Sequence, residues 1–123
     1  MTTQPVIRRI SGGEVADFIA DVARLRIAVF REFPYLYDGT FEYEQQYLQT
    51  FIDCDQSVLV LALDGDSVVG ASTALPLSFE TDEFRAPLAL AGYNTDKVFY
   101  CAESVLLAPY RGLGLGWRFF EER

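Results

Sequence analysis

Apolar residues recur along this chain with two different periods, and the switches between them outline its elements. "PVIRRI" is short, β-branched and apolar at both ends, which predicts a first strand. In "SGGEVADFIADVARLRIAVFREF", Val15, Phe18, Ile19, Val22, Leu25 and Val29 fall at helical spacing and form one apolar stripe. Ser11 and Glu14 have capping-box spacing at the start of that helix, and Pro34 bounds its end. A second helix is predicted within "PYLYDGTFEYEQQYLQTFI". Thr40 is its cap after the Asp38-Gly39 turn, and Tyr43, Tyr47 and Phe51 line one side.

The period then changes to two. In "SVLVLALDGDSVVGASTALPL", strands from about Ser57 to Leu63 and from Ser67 to Ala74 flank Asp64-Gly65, a dipeptide suited to a tight antiparallel hairpin. "ETDEFRAPLALAGYN" reads as a short helix, with Pro87 in or near its first turn and Gly92 just past its end. "KVFYCAESVLLA" is an apolar strand, followed by a glycine-rich loop and a last helix carrying Trp117 and Phe120. The order is β-α-α-β-β-α-β-loop-α, without repeats or linkers, so residues 1–123 read as a single domain.

Composition narrows the function classes. The chain has 123 residues, half of them hydrophobic and 23% charged, which is globular rather than disordered. Ten basic and 18 acidic residues give a net charge of −8. That balance argues against nucleic-acid and anionic-membrane partners and permits a cationic one, such as an amine. Cys54 and Cys101 lack metal-ligand spacing and read as reduced thiols of a cytoplasmic protein, with Cys101 a buried core residue rather than an acyl-carrying nucleophile. "MTTQPVIRRI" has no signal-peptide pattern, and no run reaches transmembrane length. There is no histidine, which removes Ser-His-Asp and Cys-His systems and every His-ligated metal site. No metal is expected. Acid–base chemistry falls to carboxylates, tyrosines, a cysteine, a lysine or water.

The remaining signal is "PYRGLGLGWRFFEER". A glycine-rich turn between strand and helix points backbone N–H groups at an anion, and the helix start adds partial positive charge. A tight β-to-α connection with no ligand is the competing interpretation. Two known phosphate loops do not fit: Gly116 is followed by Trp117 rather than Lys-Ser/Thr, and Gly112, Gly114 and Gly116 lack the Gly-x-Gly-x-x-Gly spacing.

"RGLGLG" resembles the Arg/Gln-x-x-Gly-x-Gly/Ala signature of the GCN5-related N-acetyltransferases (GNAT superfamily), and "VLLAPYRG" is similar to that family's approach to the loop. The resemblance implies an α/β fold with a mixed sheet flanked by helices, and acetyl-CoA as cosubstrate. It places the pyrophosphate on the backbone of Gly112, Leu113, Gly114, Leu115 and Gly116, with Arg111 opening the loop. It assigns the pantetheine arm and the acetyl carbonyl to Val105, Leu106 and Leu107. Glu103 interrupts an apolar strand, where desolvation favours a better base, and the family often uses a Glu on this strand to take the amine proton. A solvent-facing Glu103, or one paired structurally with an Arg, is the alternative. Among the aromatics of "FREFPYLYDGTFEYEQQY", Tyr35 and Tyr37 are the candidates for an acceptor pocket, which would hold an apolar or cationic amine.

The family's domain continues past the loop helix with further strands and a helix. The resemblance therefore covers about two-thirds of the expected domain, and the chain is expected to be a shortened form with little activity of its own. Its fourth strand would present an edge for another chain, including a homodimer partner. The function implied is acetyl transfer from acetyl-CoA to a primary amine by direct attack in a ternary complex. The acceptor stays open among a small molecule, a peptide N-terminus and a protein lysine. A non-catalytic acyl-CoA sensor or interaction module and a purely structural domain are the alternatives.

Overall fold

The computed structural model describes residues 5–32, 34–80 and 82–123. Its sheet has four strands in chain order, β1 (Val6–Ile10), β2 (Val58–Asp64), β3 (Ser67–Pro76) and β4 (Phe99–Leu106). Each is antiparallel to the next, so the mixed sheet expected of the fold is antiparallel over these strands. Asp64 pairs with Ser67, which centres the hairpin turn on Gly65 and Asp66 rather than on Asp64-Gly65. Gly65 takes the positive φ, +61°, that this turn requires.

α1 (Ile19–Phe30) and α2 (Phe41–Ile52) cover one face of the sheet. The stripe read from the sequence is the one that packs: Val15, Ile19, Val22 and Leu25 are buried, and Phe18 and Val29 partly so. The start of the helix differs from the expectation. Ser11 makes no side-chain cap, residues Gly12–Phe18 form tighter 3-10 turns, and Glu14 approaches Arg8 at 3.8 Å instead. The regular α-helix begins only at Ile19. Thr40 does cap α2, its Oγ1 accepting from the Tyr43 N–H at 3.3 Å. Phe33, in the aromatic stretch, lies outside the described residues.

α4 (Leu115–Glu122) covers part of the opposite face, where Leu115 and Phe119 close over Val60, Ala62 and Val69. α3 (Asp82–Leu90) links β3 to β4, and Pro87 is its sixth residue rather than part of its first turn. The helix buries none of its residues, and at an exposed position the bond lost to proline can be replaced by water. Among the described residues, no helix is long and apolar enough to cross a membrane.

A bulge in β4 decides which side chains reach which face. Thr73 pairs with Glu103 but Ala74 pairs with Cys101, leaving Ala102 as an extra residue. Strict alternation would put Cys101, Glu103 and Val105 on one face. The extra residue turns Cys101 to the other, where it is exposed, contrary to its expected burial; Cys54 is buried. Tyr100 takes the inward position instead and packs against the core under α1 and α2.

Gly70 sits where β3, β4 and α4 converge. A Cβ there would lie 2.7 Å from Leu106 Cδ1, 3.1 Å from Phe119 Cζ and 3.2 Å from the Val105 carbonyl oxygen. Gly70→Ala is expected to cost about 1–3 kcal/mol through overpacking, read as a lower urea midpoint.

Candidate active site

β4 presents Glu103, like Val105, on the face covered by α1 and α2, and the sequence supplies a counter-charge there. Arg26 replaces an apolar residue in the buried stripe of α1, between Val22 and Phe30 at helical spacing. Glu44 does the same on α2, in line with Leu48 and Phe51. Two opposite charges, each inside an apolar face, are tolerated only if they meet. They do. Arg26 Nε donates to Glu44 Oε2 and Arg26 Nη1 to Glu103 Oε1, with side chains 11% (Arg26), 0% (Glu44) and 16% (Glu103) exposed. Tyr37 Oη donates to Glu44 Oε1 at 3.1 Å. The guanidinium also lies over the rings of Tyr47 (4.8 Å) and Phe30 (5.2 Å), close enough for cation–π attraction.

This cluster forms the back of a cavity of about 700 Å³. Tyr35, Tyr37, Tyr43 and Tyr47 line one side, Glu83, Phe84 and Tyr100 another, and Ala102, Glu103 and Ser104 the strand. Both tyrosines proposed from the sequence therefore face the same space as Glu103. The sequence reading missed Arg26, Glu44 and Tyr100, and had Tyr47 only as one of the aromatics around the pocket. A charge at a core position of each of two helices was the legible sign of the first two. Tyr100 depended on the bulge.

Burial dominates the phenols. It pushes the Tyr47 phenol well above its ordinary value, and the nearby Glu80 carboxylate, 3.5 Å from its hydroxyl, adds to the shift. Tyr100 is raised by burial and then by Glu80, and Tyr37 by burial and then by its hydrogen bond to Glu44. All three stay neutral aromatic walls at physiological pH. Ser104 has no adjacent base; its hydroxyl shares a 2.8 Å hydrogen bond with that of Ser72.

β4 runs on from Glu103 to its end at Leu106, and the glycine loop follows after Leu107 and a short turn. The Leu107 N–H donates to the Val69 carbonyl at 3.0 Å. Since successive residues face opposite edges, the Val105 amide also turns toward β3, and only the Leu106 amide of the three faces the open edge. Leu107 is thus committed to the sheet, and Val105 is buried. A 3-10 turn, Ala108–Tyr110, begins the loop, anchored where Tyr110 Oη donates to Asp64 Oδ2 at 2.5 Å. Arg111 holds the loop to the strand, with Nε donating to the Leu106 carbonyl at 2.9 Å and Nη2 lying 3.5 Å from Glu32. Its charge is therefore partly engaged within the protein.

Gly112 and Gly114 take φ of +82° and +80°, left-handed values that favour glycine, and Gly114 caps α4. A Cβ at Gly112, Gly114 or Gly116 would meet nothing within 4 Å, so these residues border open space. The first α-helical amide to find a partner is Arg118, which donates to the Gly114 carbonyl at 3.3 Å. The amides of Leu115, Gly116 and Trp117 precede it and have no intrahelical acceptor. Leu113 is half exposed at the loop tip. An open glycine cradle ending in free helix amides has the donor set for a diphosphate. Among the described residues no group of His, Cys, Asp and Glu could hold a metal ion.

No protein-family model and no curated protein matches the chain. Solved structures do. An aminoglycoside acetyltransferase from an uncultured soil metagenomic sample, solved in complex with trehalose, superposes with a TM-score of 0.57 at 19% identity, over 95% of this chain and 65% of that one. An integron cassette protein from the mobile metagenome of V. cholerae gives 0.61 at 16% identity, over 97% of this chain and 65% of its own. A further structure, described as an acetyltransferase, gives 0.52 at 18% identity, over 94% and 70%. The fold is thus the GNAT-like one expected from the sequence, and the chain spans about two-thirds of the length of these neighbours.

Two measurements check this description. Arg26→Ala leaves two buried carboxylates facing each other and is expected to cost about 3–5 kcal/mol in urea unfolding. For Tyr47, the raised folded-state value means the folded protein keeps the phenol proton longer than the unfolded chain does. Its contribution to stability is complete below the ordinary phenol value of about 10 and fades as pH rises beyond it. Tyr47→Phe is expected to flatten the alkaline fall in stability, followed by thermal unfolding across that range.

Proposed function

We propose that this chain carries an N-acetyltransferase site that moves an acetyl group from acetyl-CoA to a primary amine by direct attack in a ternary complex. The observation that carries the reading is an arrangement along one strand: β4 carries Glu103 into an aromatic cavity and then leads, through a short turn, into an open glycine cradle. The acetyltransferases that share the fold support it.

The backbone of Gly112, Leu113, Gly114, Leu115 and Gly116 would hold the pyrophosphate. Arg111 serves chiefly to fix the loop through the Leu106 carbonyl. Acetyl-CoA would supply the thioester from which the acetyl group is transferred. The Leu106 amide is the open-edge donor for a carbonyl, and the edge around Val105 and Leu107 keeps that donor in register. Glu103, directly or through a water it orients, accepts the proton the amine must lose. Tyr35 and Tyr37 contribute to the wall that positions the amine beside it.

A second reading, an acyl-CoA-binding module without turnover, is favoured by one observation: Glu103 is already held by Arg26. Calorimetric titration with acetyl-CoA, followed by thiol release with a panel of amines, separates the two. Binding is expected, and Gly114→Val should abolish it by filling the cradle. Glu103→Gln should leave binding intact and lower turnover by about a hundredfold or more, the usual contribution of a positioned base. Binding with no turnover for any amine would favour the module. No binding at all would sink both.

A further inference from the structure

The charge inventory of the cavity narrows the acceptor. Arg26 is its one cationic lining residue among the described residues, and it is shared between Glu44 and Glu103. One guanidinium against two carboxylates leaves a net negative charge at a site largely withdrawn from water, where an uncompensated charge is costly. Glu83, on the α3 side of the same cavity, adds a third carboxylate. The ring faces of Tyr47 and Phe30 are taken up by Arg26 itself. Phe84 and Tyr100, whose centroids lie 5.5 Å apart, and the exposed Tyr43 remain for a ligand.

We infer that the acceptor is a small aliphatic amine carrying at least two positive charges, one ammonium seated against the Arg26–Glu44–Glu103 cluster and the other drawn to Glu83 and the neighbouring rings. This rests on the acetyl-transfer reading. The proton balance is consistent with it. The ammonium beside Glu103 gives its proton to that carboxylate and becomes the neutral nucleophile. The cluster passes from one net negative charge to none, so the pair is neutral before and after. The second ammonium is not consumed and keeps the substrate in place. A peptide N-terminus has no second charge built into its reacting end, and a carboxylate-bearing amine would meet only like charge at Glu83.

Calorimetry with diaminobutane, butylamine and aminobutanoate tests this, with coenzyme A titrated in parallel. The diamine is expected to bind about fivefold tighter than the monoamine, the effect of one partly exposed ion pair, and aminobutanoate more weakly than either. Glu83→Gln should bring diamine and monoamine to equal affinity without altering coenzyme A binding. Tyr43→Leu should weaken both amines about threefold through the lost cation–π contact. Equal binding of diamine and monoamine by the unmodified protein overturns the inference, as does a preference that survives Glu83→Gln or failure of all three amines to bind. Loss of these amine effects with coenzyme A still binding defeats this inference alone. Absence of coenzyme A binding defeats the acetyl-transfer reading instead.

Discussion

The guanidinium of Arg26 joins three elements that are distant in sequence. It starts on α1, meets Glu44 on α2 and ends at Glu103 on β4. Neither carboxylate would be stable so far from water without it, and Arg26 would be no better placed without them. Fixing this ion pair fixes the separation of the two helices from the strand, and therefore the width of the cavity between them. Tyr37 strengthens the arrangement from the connection between the helices, so the loop that walls the cavity is tied to the charge at its base.

The cluster also links stability to chemistry. A carboxylate needed as a proton acceptor is most useful when it is partly withdrawn from water, but withdrawal destabilises it. Arg26 offsets that cost by pairing with Glu44 and Glu103 together, and on the proposed acetyl-transfer reading the charge left over is what an incoming ammonium would meet. The tyrosines contribute by remaining protonated: burial and neighbouring carboxylates keep them neutral, so their faces attract a cation while adding no charge of their own.

The cradle at the other end of β4 works by a different principle. It carries little side-chain chemistry. Its donors are backbone amides, its openness comes from glycines at left-handed φ, and its position comes from Tyr110 on Asp64 and Arg111 on the Leu106 carbonyl. Arg111, the residue that looks most like an anion ligand in the sequence, spends its fork on holding the loop in place. On the proposed reading, a strand that carries Glu103 at one point and leads into an amide-lined loop would give two reactants a common rigid reference.

Much of this was legible in the residue pattern. The apolar stripe of α1, the hairpin, the Thr40 cap and the glycine loop all follow from local rules, because side-chain period and turn chemistry act over a few residues. Glu103 and the two tyrosines stood out for the same reason, as a charge in an apolar strand and rings in a loop. Three things required the folded chain. The residues after Ser11 form 3-10 turns up to Phe18 before the regular helix starts, which the capping-box spacing of Ser11 and Glu14 concealed. The single extra residue at Ala102 reversed the facing of Cys101 and Tyr100, since a strand's alternation has no memory across a bulge. The pairing of Arg26 with Glu44 and Glu103 spans 77 residues, and no local pattern names a partner at that range. The sequence by itself determined which elements form and where an open glycine loop joins strand to helix. Only tertiary packing decided which charges meet, because desolvation acts on whatever the fold brings together, whatever its distance along the chain.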